Sequence, residues 1–157
     1  YSNPQKKINI AMGGRWDKNV VAESQTQGYS QINPRFSAVF YPGKWIFKAI
    51  YSEAIFAFPS FVKFSSSVSR IAPDVLDPEK VRNAEISISR SHLFDKLTWE
   101  GVIYKSQYDN MLTTNKVNGL DQYGNAPSAR IDVFGSQWNI RWKLNSFLKL
   151  NLNATIN

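Results

Sequence analysis

The sequence predicts an all-β chain of about seven antiparallel strands in up-and-down order, forming part of a transmembrane β-barrel larger than the chain itself. Three observations carry this. Apolar and polar residues alternate with a period of two, the alternating segments are long, and the connections between them are long and short in turn.

Near the start, Ile8, Ile10, Met12 and Trp16 oppose Lys7, Asn9, Arg15 and Asp17. Segments 33–41 and 45–54 are strand-like with less regular alternation. In 83–89, Ala84, Ile86 and Ile88 oppose Asn83, Glu85, Ser87 and Ser89. Segment 97–112 is again strand-like but irregular. In 137–143, Trp138, Ile140 and Trp142 oppose Gln137, Asn139, Arg141 and Lys143. The last segment is the most regular: Leu148, Leu150, Leu152, Ala154 and Ile156 on one face, Lys149, Asn151, Asn153, Thr155 and Asn157 on the other. Successive strand side chains point to opposite faces, so each segment has one apolar and one polar side. The only candidate helix is one short turn in Asp77-Pro78-Glu79-Lys80-Val81-Arg82, with Pro78 after an Asp77 cap.

The connections are 18–32 (long), 42–44 (short), 55–80 (long), 91–96 (short), 113–127 (long) and 144–146 (short). A meander whose two ends face different compartments does this, with tight turns on the periplasmic side and long loops outside. Segments 7–16 and 147–157 run about ten residues, the length a tilted membrane-spanning strand needs, whereas soluble strands average five or six. Leu148, Leu150, Leu152 and Ile156 should therefore stand exposed to lipid, while Arg15, Glu85, Arg141, Lys143, Lys149 and Asn151 face the lumen. Trp45, Trp99, Trp138 and Trp142 are candidates for an interfacial aromatic girdle. Only a closed barrel satisfies every backbone polar group in lipid, so the remaining strands are expected in sequence beyond these residues. Tyr1-Ser2-Asn3-Pro4 is neither an initiator Met nor a signal peptide, and the alternation still runs at Asn157, as though both ends lie inside a longer protein.

Composition narrows the chemistry. Five Trp, seven Tyr and ten Phe make 14% of the chain, and bulky aromatics favour strands. The net charge of +7 is scattered, without the Lys/Arg stripe of a nucleic-acid groove. No cysteine and a single histidine, His92, leave no thiolate chemistry, no multi-histidine metal site and no call for a cofactor. There is no run of eighteen apolar residues that would make a transmembrane helix. Glu53, Glu79, Glu85 and Glu100 show no spacing that selects a catalytic pair, and Ser65-Ser66-Ser67 has no local base, so no enzyme is expected.

Several local words resemble those of TonB-dependent outer-membrane receptors. Gly13-Gly14-Arg15-Trp16-Asp17 is similar to the family's Gly-x-Arg-Tyr-Asp, and Asn33-Pro34-Arg35 with Tyr41-Pro42 to the descending strand after it. Tyr51-Ser52-Glu53-Ala54-Ile55-Phe56-Ala57-Phe58-Pro59-Ser60 resembles Tyr-Ser-x-Ala-Phe-Arg-Ala-Pro-Ser. Leu76-Asp77-Pro78-Glu79-Lys80 with Asn83-Ala84-Glu85 resembles Leu-x-Pro-Glu-x and its following strand. Asn125, Ala129-Arg130-Ile131 and Gly135-Ser136-Gln137 resemble Asn-x-x-x-Ala-x-x-x-Gly-x-Glu. The words run in the family's order from Gly13 to about Gln137. The Arg expected near Phe56 is missing, and 61–75 holds no His, which disfavours haem as a ligand.

The resemblance implies a transporter wall in the bacterial outer membrane, with 1–157 a partial barrel domain. Its partners would be outer-membrane lipid, the rest of the barrel, a plug domain coupled to TonB, and a scarce nutrient such as a metal chelate, vitamin or glycan. A surface lipoprotein is a further partner class, and nucleic acid is not one. Loops carry specificity because they vary without breaking the hydrogen-bonded wall. The ligand-binding candidates are Phe58, Phe61, Lys63, Phe64 and Arg70 in the 55–80 loop: aromatics for stacking and cations for an anionic ligand. The alternative is a soluble β-sandwich module of carbohydrate-binding type, which would bury its apolar faces and mix its turn lengths.

Overall fold

A computed structural model describes residues 7–19, 29–58, 62, 66–73, 76–92, 96–126 and 130–157. Among the described residues ten strands form in two sheets. β1 (Lys7–Asn19), β2 (Tyr29–Tyr41), β3 (Trp45–Phe56), β5 (Glu79–His92), β6 (Leu97–Asp109), β9 (Ile131–Lys143) and β10 (Lys149–Ile156) make a seven-stranded antiparallel sheet in that spatial order. β4 (Arg70–Ile71), β7 (Leu112–Val117) and β8 (Leu120–Asn125) make a second sheet, ordered β4-β8-β7. Six of the seven large-sheet strands have twelve to fourteen residues, longer than the period-two segments alone delimit.

The turns follow their residues. In the β2–β3 hairpin Gly43 has φ +69° and Trp45 N–H donates to Pro42 O at 3.3 Å. A positive φ at the first central residue matches the twist of paired strands, and glycine adopts it without strain. Between β9 and β10, Asn145 Oδ1 accepts from the backbone N–H of Phe147 (2.9 Å) and Leu148 (2.7 Å), an Asx-type turn. Three expectations are corrected. Asp77 and Pro78 form no helical turn but run directly into β5, and His92 is the last residue of β5 rather than part of a turn. Segment 113–127 is not open loop either, since β7 and β8 occupy most of it.

One register row shows how the large sheet is built. Ile10, Ala38, Ala49, Ile86, Ile103, Ser136 and Ile156 pair successively across all seven strands and share one face. The next row, Asn9, Val39, Lys48, Ser87, Val102, Gln137 and Thr155, lies on the other. Among the described residues nothing covers the first face. Ile10 is 62% exposed, Ile86 59% and Ile156 67%, and Leu148, Leu150 and Leu152 are also exposed. Among the described residues the buried hydrophobic cluster is Phe58, Val62 and Leu76, and it belongs to the small module. The seven-stranded sheet has no core of its own.

Candidate functional site

The apolar face of the large sheet has two different borders. At the short-turn end Trp45, Arg90, Trp99, Ile140 and Leu152 form one register row. Trp45 meets Trp99 edge-on with ring centroids 5.7 Å apart, and the Arg90 guanidinium lies over the Trp45 ring at 4.6 Å. Trp142 pairs with Leu97 and Leu150 one row nearer the turns. Trp138 is not in this border: it lies one row inside it, opposite Gly101. At the long-connection end Glu53, Arg82, Gln107 and Asp132 form a row that is polar throughout. Glu53 accepts from Lys80 (2.6 Å) and the Tyr51 hydroxyl (2.5 Å) and lies in ion-pair range of Arg82 (3.8 Å), and Arg82 also pairs with Asp109.

On β5 the two borders, Arg82 and Arg90, are eight residues apart. That is about 26 Å of strand at ~3.3 Å per residue. Tilted by roughly 40°, it spans about 20 Å of height, near the apolar band of roughly 25 Å on a membrane barrel. The opposite face is polar along much of its length. Lys48 pairs with Glu85 (3.8 Å), Arg15 donates to Asp17 (2.7 Å), and the buried Asn33 donates to the same carboxylate (2.5 Å). Arg15, Glu85, Arg141, Lys143, Lys149 and Asn151 share this face by register, as the alternation predicts.

The long connections beyond Phe56 and Asp109 fold onto each other. β4 pairs in parallel with β8, Arg70 opposite Asp121 and Ile71 opposite Gln122. Phe58, Val62 and Leu76 are buried beneath, with Leu112 and Tyr123 packed against them, and Phe58 lies edge-on to Phe56 at 5.8 Å. Asn125 is the main tie. It accepts from Asp77 N–H (2.7 Å) and donates to Asp77 O (2.9 Å) and Asn110 O (2.7 Å). Gln122 donates to Ala72 O (3.1 Å), and Glu79 accepts from Leu112 N–H (2.8 Å).

The loop candidates separate here. Phe58 is 6% exposed and packs the module. Arg70, on β4, lies over the Tyr123 ring at 5.2 Å. Phe61, Lys63 and Phe64 lie outside the described residues. Tyr123 and the β7–β8 hairpin were not singled out in the sequence, although a signal was present. Asn118-Gly119 is the strongest short-range hairpin dipeptide, and both residues take positive φ, 52° and 83°. Among the described residues no group of three or more His, Asp or Glu stands where it could hold a metal.

Solved structures share this fold, among them the following two. The FrpB iron transporter from Neisseria meningitidis (F3-3 variant) superposes with a TM-score of 0.72 at 16% identity, over 94% of this chain and 23% of that one. The FpvAI–pyocin S2 complex does so with a TM-score of 0.64 at 14% identity, over 99% of this chain and 21% of that one. The chain thus spans under a quarter of the length of either. No curated protein matches it in sequence. The family model "TonB dependent receptor-like, beta-barrel" matches residues 3–157. TonB-dependent receptors are transporters and not enzymes. An uncovered antiparallel sheet with one apolar and one polar face is what a wall segment of such a barrel looks like, and the chain belongs to the TonB-dependent receptor-like β-barrel family.

Proposed function

We propose that this chain is part of the wall of a TonB-dependent transporter in the bacterial outer membrane, taking up a scarce nutrient of the class of a metal chelate, vitamin or glycan. The observation that supports it most is the row from Ile10 to Ile156. Its isoleucines are exposed at both ends and in the middle of the sheet, while the adjacent row on the reverse is mostly polar. Water does not solvate such a face, and lipid does. The soluble sandwich needs a second sheet over that face. Among the described residues the only other sheet is β4-β8-β7, and its core is built on the module's own Phe58, Val62 and Leu76. The rest of the barrel would close the free edges at β1 and β10, and a TonB-coupled plug would supply the force for transport.

In this reading the β4-β8-β7 module is extracellular and helps to capture the nutrient, and the turns at 42–44, 91–96 and 144–146 face the periplasm. Arg70 and Tyr123, with Phe61, Lys63 and Phe64, are the residues offered to ligand. Phe58 holds the module together from inside. Topology is tested with single cysteines introduced into the full receptor, any cysteine outside this segment first replaced by serine, on intact cells. Ser66→Cys should react with an impermeant thiol reagent and Asn145→Cys should not. The opposite pattern inverts the topology. Uptake that survives deletion of 61–70 would remove the loop from the binding site.

A further inference from the structure

The two borders of the apolar face hold their charges differently. At the long-connection end four cations on β5, on β6 and just before β9 have carboxylates: Lys80 with Glu53 (2.6 Å), Arg82 with Asp109, Lys105 with Asp132 (3.7 Å) and Arg130 with Asp132 (3.2 Å). At the short-turn end Arg90 has none among the described residues. Its guanidinium rests on the Trp45 ring, and its Nε is buried without a hydrogen-bond acceptor. Lys44 adjoins Trp45 in the β2–β3 turn, and Lys96 leads into β6 beside Leu97. Both are exposed, and neither forms an ion pair among the described residues. Asp95 lies outside the described residues.

A buried guanidinium donor without an acceptor is unfavourable, and an anion arriving from outside relieves it. The position says which anion. Arg90 stands at the edge of the apolar band, where Phe47 and Ile88 form the next row inward. A group that binds here must carry negative charge at one end and an apolar body at the other, which a free phosphate ion lacks.

We propose that Arg90, Lys44 and Lys96, set among Trp45 and Trp99, form a binding site for an anionic glycerophospholipid. The cations receive its phosphate, and its acyl chains lie along Phe47, Ile88 and the rows beyond. The site rests on the membrane reading above. The lysines reach the headgroup level on their flexible stems while the indoles mark the boundary below it. At the opposite border Lys80, Arg82, Lys105 and Arg130 already have carboxylates, so these four make no comparable demand for a lipid anion.

The test uses the full-length receptor in vesicles of equimolar phosphatidylglycerol and phosphatidylcholine, extracted gently in detergent, with the retained lipids counted by mass spectrometry. Wild type should retain phosphatidylglycerol in excess. Arg90→Gln should lower that preference about fivefold, and Lys44→Gln/Lys96→Gln by a similar factor per cation, from the known attraction of surface cations to anionic lipid. Arg90→Lys should keep most of the preference, and Arg82→Gln at the far border all of it. The double lysine variant changes only exposed side chains beside the turns, so it reports even if Arg90→Gln does not fold. Equal lipid ratios in wild type and both short-turn variants, or an equal loss in Arg82→Gln, would overturn the site while leaving the barrel intact. A receptor that enters vesicles of neither lipid would overturn the membrane reading and the site with it.

Discussion

Gly101 of β6 lies directly opposite Trp138 of β9, and the indole covers the space a side chain at position 101 would need. A Cβ there would stand 2.8 Å from Trp138 Cζ3 and 3.1 Å from Cε3. The arrangement is reciprocal on the other face, where β9 supplies Gly135 and β6 supplies Tyr104, whose hydroxyl would lie 2.6 Å from a Cβ at position 135. A large ring folded over a cross-strand glycine covers exposed backbone and pins the register of the two strands. Gly101→Val should therefore destabilise the folded wall by about 1–3 kcal/mol through overpacking. Placed in a Trp138→Ala background the same change should cost much less, a non-additivity that a double-mutant cycle in lipid refolding reads directly. Additive losses would mean that the ring moves aside freely.

The faces predict an asymmetry between neighbouring sites. Ile86 is 59% exposed and lies four residues from each charged border on β5, near the middle of the band. Ile86→Arg should cost about 2–4 kcal/mol in a lipid-refolding titration. Asn151→Arg, on the polar face beside Arg141, should be mild. Leu150 pairs with Trp142 at the aromatic border, so Leu150→Arg should fall between them. Equal effects at all three positions would contradict the assignment of faces.

Asn125 joins the two long connections through three hydrogen bonds. Asn125→Ala removes all three bonds; Asp77 and Asn110 are exposed, so water takes their place and the cost is about 0.5–1.5 kcal/mol per bond. The loss should be local. Amide exchange should speed up at Ile71, Asp77 and the β8 strand and stay unchanged in β5 and β6. Faster exchange throughout the large sheet would show that the module and the wall unfold as one unit.

Glu53 gathers Lys80, Arg82 and Tyr51 at the long-connection border. Its side chain is 13% exposed, so it is shielded better than a surface ion pair, and as a network centre it should contribute more than the ~0–1 kcal/mol usual for exposed pairs. Glu53→Gln should destabilise by roughly 1–2 kcal/mol. Lys116→Gln, which loses only the exposed pair with Asp121, should have no measurable effect. Stability curves that coincide for the two variants would count against a network.

The large sheet was legible because its code is local. Whether Leu150 or Asn151 meets lipid depends on the parity of its own position, and whether a connection is a tight turn or a long excursion is visible in its length and its Gly43 or Asn145. Such features need no knowledge of distant residues, so strand number, order and faces follow from the chain alone. The same parity blurs in β2, β3 and β6, where Val39, Ile50 and Val102 place apolar side chains on the polar face. Strand ends also lay beyond reach, because Lys18, Asn19 and Glu79 enter strands only through backbone pairing with partners brought beside them.

The module was decided by tertiary structure. β4 is two residues long and carries no pattern, and it becomes a strand because β8, fifty residues later, presents an edge to it. Phe58 reads as a ligand-stacking aromatic in sequence and as core in space, since burial belongs to whatever folds over a residue. The Arg90–Trp45 contact and the Gly101–Trp138 pairing are likewise facts of register between strands. Alternation sets which face a side chain takes, but only the paired and folded strands decide what it meets there.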